Sequence, residues 1–287
     1  MSSLGGKIPW PIIGALFALG LGVLLYPLWG NLVNEYLNAR AVRDYERVVE
    51  ETPGLGTEEA WSTAEDYNSR HRVNVAADPF GKNAPTAEDK EYESLLSVTP
   101  DGASGVMGSL EVPKISQLLA IYHGTSSVAL EKGVGHVQGT SLPVGGPSTH
   151  CVIAGHRGLA SALIFTDLDQ MRVGDQFYLH TLGRHLAYEV EDVSVVNPEN
   201  LSVVAIRDGE DLASLITCTP YGVNTQRLVI RGHRVPYVPH DNMSLANALA
   251  VFSPVALAAI AVVCGIVITL AIVLLRRWRS RIGKEES

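Results

Sequence analysis

The sequence predicts an all-β domain behind a helical extension, with an apolar, membrane-length segment at each end of the chain. Three observations carry this. From Gly108 onward, short apolar runs alternate with Gly, Pro, Ser and Asp, the pattern of strands and tight turns. Between Asn31 and Glu50, Leu32, Val33, Tyr36, Leu37, Val42, Tyr45 and the Val48-Val49 pair recur at helical spacing among charges. No charge occurs from Ile8 to Asn34 or from Asn242 to Leu275, and about 20 apolar residues suffice to cross a bilayer as a helix.

In chain order, Ile12 to Trp29 is the first expected span, with Pro9, Pro11 and Pro27 near its ends. A cleaved signal peptide is the alternative, but Tyr26-Pro-Leu-Trp-Gly30 lacks a small-x-small cleavage site. The amphipathic helix of residues 31–50 follows, stopped by Thr52-Pro-Gly-Leu-Gly56, and Thr57-Glu58-Glu59 is a start signal for another. Asn74 to Asp89 loses periodicity and reads as a mobile loop. The expected strands are Gly108–Val112, Ser148–Ala154, Gln176–Thr181, His185–Val196, Asp211–Thr219 and Gln226–Val235, with a helical turn at Leu163–Leu168 and a plain turn at Leu142–Gly146. The divisions are residues 1–30, first span; 31–107, helical extension and loop; 108–240, β domain; and 241–287, second span and basic tail.

Flanking charge sets the orientation. Lys7 precedes the first span, and Arg276, Arg277, Arg279, Arg281 and Lys284 follow the second, so both termini are expected in the cytoplasm and the middle outside the cell. Without those flanks the chain holds 16 Lys and Arg against 28 Asp and Glu, a formal charge near −12. Such a surface argues against nucleic acid as a partner, since binding it requires neutralising phosphates. No Cys-x-x-Cys, His-Glu-x-x-His or nucleotide-type glycine loop occurs, so neither a metal nor another cofactor is expected; His180 and His185, around Gly183, fit a strand-turn surface.

The chemistry concentrates at Ser214 to Arg234. Two β-branched runs flank Pro220, Gly222 and Asn224, which reads as a hairpin, and a loop centred near Gly222 sets Cys218 opposite Arg227. A fixed positive charge favours the nucleophilic thiolate, and a guanidinium is a good donor to a developing oxyanion. A proton carrier is offered by His156, which lies between Gly155 and Gly158 at the end of the apolar run Cys151 to Ala154. Cys218, His156 and Arg227 are the candidate site.

Thr217-Cys-Thr-Pro-Tyr-Gly222 with Arg227, Gly155-His-Arg-Gly158, Glu111-Val-Pro-Lys-Ile115, Tyr122-His-Gly-Thr125 and Gly139-Thr-Ser-Leu-Pro-Val-Gly-Gly146 together resemble the sortase family, most closely its class C, pilus-assembling branch, over roughly residues 110 to 235. The resemblance implies a closed β-barrel transpeptidase. In that family the cysteine attacks the Thr-Gly bond of an LPxTG-type signal, the histidine handles protons and the arginine steadies substrate and oxyanion. The partners so implied are pilins bearing such signals and an acceptor lysine. It further implies that Asp78-Pro79-Phe80 is a lid, with Asp78 approaching the catalytic charges and Phe80 covering the cysteine; by itself the tripeptide reads as a turn. Two rival readings stand beside this one. A housekeeping-type sortase would use a cell-wall amine with the same residues, and a non-catalytic tethered module would join Cys151 to Cys218 in a disulfide, which an oxidising exterior permits. Cys264, in the second span, reads as a small apolar residue. Tyr237 to Ser244 carries no LPxTG motif ahead of the second apolar segment, so the chain looks like the enzyme and not its substrate.

Overall fold

The computed structural model describes residues 10–51, 55–71, 78–81, 90–97, 105–159, 161–200 and 202–239. Among these residues, three helices precede the β domain: α1 (Trp10–Glu51), α2 (Leu55–Arg70) and the short α3 (Lys90–Ser94). Eight strands follow: β1 (Val106–Val112), β2 (Gln117–His123), β3 (Val134–His136), β4 (Thr149–Ala154), β5 (Gln176–Thr181), β6 (Arg184–Val196), β7 (Asp211–Thr219) and β8 (Gln226–Val235). Helix α4 (Ser127–Lys132) links β2 to β3.

The strands close in the order β1-β2-β3-β4-β7-β8-β6-β5, with β5 pairing back onto β1. Closure removes the unpaired edges that an open sheet would expose. Side-chain alternation then separates two apolar cores. Cys151 and Ile153 of β4, Ala213 and Leu215 of β7, and Leu228 and Ile230 of β8 join the main core with Leu110, Phe177 and Tyr188. Their alternates Val152, Ala154, Ile216 and Val229 join a smaller cluster with Leu130, Val137 and Val204. The β4–β7–β8 patch is therefore covered on both faces, as the consecutive apolar residues Cys151–Ala154, Leu215–Ile216 and Leu228–Ile230 require. This second face carries the candidate site.

The expected strands occur within two residues of their limits. Strands β2 and β3 come in addition to them. Between Leu163 and Leu168 the chain makes hydrogen-bonded turns and then a 3-10 turn at Leu168–Gln170, one step later than the helical turn read from sequence. The first apolar stretch and the amphipathic helix form one continuous α1 of 42 residues, about 63 Å long at 1.5 Å per residue. Its C-terminal half buries Ala39, Val42, Tyr45 and Val49, whereas Leu19, Val23, Tyr26 and Trp29 are exposed. Asn38 fastens the buried half: Nδ2 donates to the Lys132 carbonyl at 2.7 Å, and Oδ1 accepts from the Ala120 amide at 3.1 Å. Among the described residues no helix is long and apolar enough to cross a membrane. Several side chains of the first apolar stretch, and the whole second apolar segment with Cys264, lie outside that set.

Candidate active site

The site is a row of residues across three neighbouring strands. In the antiparallel β7–β8 pair, Cys218 lies opposite Arg227, the register expected from the hairpin sequence. In the parallel β4–β7 pair, Ala154 lies beside Ile216, and the Gly155 amide continues the ladder by donating to the Ile216 carbonyl at 3.1 Å. The Thr217 hydroxyl donates to the Gly155 carbonyl at 2.7 Å. Carrying this register two residues on sets His156 beside Cys218, and adjacent strands run about 4.8 Å apart. By alternation, His156, Cys218 and Arg227 share the face of Ala154, Ile216 and Val229. Gly155 is required here because a Cβ would come within 2.6 Å of the Phe165 ring.

The described part of the long loop, residues 78–81, turns over this row. Asp78 accepts from Arg227 Nε at 2.8 Å and from Nη2 at 2.7 Å, a bidentate pair with 15% and 7% side-chain exposure. Arg227 Nη1 donates to the Asn224 and Gln226 carbonyls, so every guanidinium nitrogen is engaged. The Phe80 ring lies 5.8 Å from the His156 ring and 5.3 Å from the Arg227 guanidinium, and packs on the second core. Pro79 forms the turn closed by Gly81 N–H donating to the Asp78 carbonyl at 3.1 Å. The tripeptide thus closes over the row that holds the thiol.

Electrostatics follow from that cover. Burial pushes the Cys218 thiol above its ordinary pKa; Arg227 pulls it down and the Asp78 carboxylate pushes it up. Burial lowers the pKa of His156, against an opposing pull from Glu131. With residues 78–81 in position, thiol and imidazole are both held neutral. Burial also works against the Arg227 charge, but the hydrogen bonds to Asp78, with the negative charges nearby, raise its pKa overall.

The disulfide reading is overturned. Both Cys151 and Cys218 are free. Cys151 pairs with Ala213, five residues before Cys218 on β7, which corresponds to about 16 Å along the strand, and the two thiols belong to opposite faces. A disulfide needs Cα atoms within about 7 Å. Cys151 is a core thiol whose pKa burial raises.

Sequence reasoning assigned no role to Arg157, although it lies inside the glycine-flanked motif. Its Nε donates to the Thr166 carbonyl at 3.1 Å, Nη1 to Thr219 Oγ1 at 3.2 Å and Nη2 to Asp169 at 2.5 Å. Thr166 and Asp169 join it only through the fold, so no local pattern marks them. His180 pairs with His185 at 2.6 Å and with Glu111 at 3.2 Å. Among the described residues no group of three His, Cys, Asp or Glu is arranged to hold a metal.

A thiol between an imidazole and a guanidinium on a closed barrel is the equipment of a cysteine nucleophile. The Sortase domain family model matches residues 110–235. Sortase D of Bacillus subtilis is 31% identical over 131 residues, covering 45% of this chain and 63% of that protein, so the match spans somewhat less than two thirds of the relative. The solved structure of Streptococcus pneumoniae Sortase C is 40% identical, with a TM-score of 0.63, covering 70% of this chain and all of that one. Sortase C-1 from Actinomyces oris is 44% identical, with a TM-score of 0.59, covering 63% and 99%. The chain belongs to the sortase family, and its structural neighbours are class C sortases.

Proposed function

We propose that this chain is a membrane-anchored cysteine transpeptidase that cleaves the Thr-Gly bond of LPxTG-type signals and joins pilin subunits through a lysine isopeptide bond. The observation that carries this reading is the His156–Cys218–Arg227 row beneath the Asp78–Arg227 ion pair. The Cys218 thiol passes its proton to His156, the thiolate sulfur bonds to the threonine carbonyl carbon, the bond to the glycine nitrogen breaks, and the His156 imidazolium gives that proton to the leaving amine. A pilin lysine amine then attacks the thioester; the new amide bond forms as the C–S bond breaks, and His156 takes the amine proton. Arg227 holds the oxyanion in both steps. The Nε–Nη2 edge of its guanidinium is occupied by the Asp78 carboxylate, so residues 78–81 must first move away.

Pilin as the substrate class is supported by the class C neighbours, since the pneumococcal Sortase C structure bears on pilin substrate specificity. Anchoring is supported by the charge-free stretches and by the exposed apolar side chains on the first half of α1. The exported orientation, with cytoplasmic termini, follows from the flanking basic residues.

The test supplies detergent-solubilised full chain with an LPxTG-containing peptide and two acceptors, a pilin-type lysine peptide and a peptidoglycan-type amine. An isopeptide to lysine in preference to the other amine is the expected product. Preference for the wall amine would favour the housekeeping-type reading, and joining by Cys218→Ala would remove the mechanism.

A further inference from the structure

General bases are ordinarily oriented by a third group that hydrogen-bonds the ring. Among the described residues, no side chain or carbonyl makes such a bond to either His156 ring nitrogen, and the ring contact from Phe80 departs with the loop. Among the described residues, the imidazole is then held through the backbone that carries it.

That backbone is tied on two sides. The His156 carbonyl accepts from the Phe165 amide at 3.1 Å, and the Gly158 amide donates to Thr166 Oγ1 at 3.4 Å, which bind the turn to the 165–169 segment. The Thr217 hydroxyl binds Gly155 ahead of it. Arg157 reaches both sides: Nε and Nη2 grip Thr166 and Asp169, while Nη1 crosses to Thr219 Oγ1, next to the nucleophile. Its side chain is only 9% exposed, against 52% for Asp169. The planar guanidinium offers donors in fixed directions, so one side chain spans three acceptors that an ammonium would not reach together.

We propose that Arg157 is a positioning residue that sets the spacing of His156 from Cys218 by holding the turn that carries the imidazole, and that it keeps this role once residues 78–81 have moved. The inference rests on the transpeptidase reading for its kinetic consequence but not for its structural one. Misplacement of a catalytic group by about 1 Å costs on the order of a hundredfold in rate, so Arg157→Ala should slow thioester formation roughly ten- to hundredfold. Arg157→Lys should recover part of that.

The experiment measures, on the full chain in detergent, thioester formation with an LPxTG peptide and alkylation of Cys218 by a small neutral reagent, for wild type, Arg157→Ala, Arg157→Lys, Thr219→Val and the double variant Arg157→Ala/Thr219→Val. Acylation slowed well beyond any loss in alkylation, and a double variant no worse than the weaker single, are expected. Alkylation needs His156 only to sustain the thiolate, whereas acylation also needs it to pass a proton; Arg227 and Asp78 beside the thiol are untouched. Parallel changes in acylation and alkylation, or additive losses, would mean general loosening and overturn the proposal. Histidine-selective NMR in an Asp78→Ala background gives a second reading that needs no substrate. One sharp His156 ring signal that broadens or splits on Arg157→Ala supports the proposal, and an unchanged signal refutes it. If wild type forms no thioester, the transpeptidase reading fails while the NMR comparison still decides the role of Arg157.

Discussion

Asp78 acts on two residues at once: it engages Arg227 through both carboxylate oxygens and raises the pKa of Cys218. Removing the carboxylate lowers the thiol pKa, because a negative neighbour disfavours a second negative charge. Asp78→Ala should therefore alkylate faster at Cys218 than wild type at pH 7, read by reagent titration and peptide mapping; an unchanged or slower rate would contradict the assigned interaction. Cys151→Ala should leave that labelling intact, since Cys151 faces the opposite core. Cys218, Arg227 and His156 were legible as a group because a hairpin fixes its own register and two glycines mark the histidine. Arg157 was not, because Thr166, Asp169 and Thr219 lie 9, 12 and 62 positions away from it.

Among the elements, α1 shows best how local pattern and tertiary packing divide the work. The periodicity of residues 31–50 announces a helix, and its buried face follows the expected Val42, Tyr45 and Val49. No local signal requires the helix to continue unbroken from the apolar stretch, or Asn38 to be buried. Asn38 is 1% exposed and satisfies both the Ala120 amide and the Lys132 carbonyl. Asn38→Ala leaves both without that partner and should cost about 1–3 kcal/mol, seen as a lower denaturation midpoint. Strand β3 escapes notice in the sequence for a plain reason: it has three residues, one of them glycine, and is specified by its neighbours β2 and β4 rather than by its own propensity. Strand β2 is not picked out from its apolar run Leu118 to Tyr122, although Pro113 and Ser116 punctuate the chain between it and β1.

Across the whole molecule, buried imidazoles tie stability to pH. Burial lowers His136 and His150 from 6.5 to about 4. Between those values the unfolded chain takes up protons that the folded chain refuses, so stability present above pH 6.5 is lost as pH falls toward 4. The melting temperature should drop on acidification through that window, and a flat profile would argue against buried neutral imidazoles. The active site responds with the opposite sense when residues 78–81 leave. Loss of cover should relieve the burial and the Asp78 charge that raise the Cys218 pKa, and the burial that lowers that of His156, so the thiolate–imidazolium pair should become more populated at neutral pH. The closed barrel itself is expected only through the family resemblance, because alternation and turn signals announce strands but do not say which ones pair. The central claim is that Cys218 is the acyl-accepting nucleophile, held back by the Asp78–Arg227 pair. Its most direct test is to incubate the full chain, wild type and Asp78→Ala, with an LPxTG peptide and no amine, then map the acyl adduct by mass spectrometry. The account expects the peptide up to its threonine on Cys218, with more adduct in Asp78→Ala; cleavage of the peptide with no adduct, or an adduct on another residue, would contradict it.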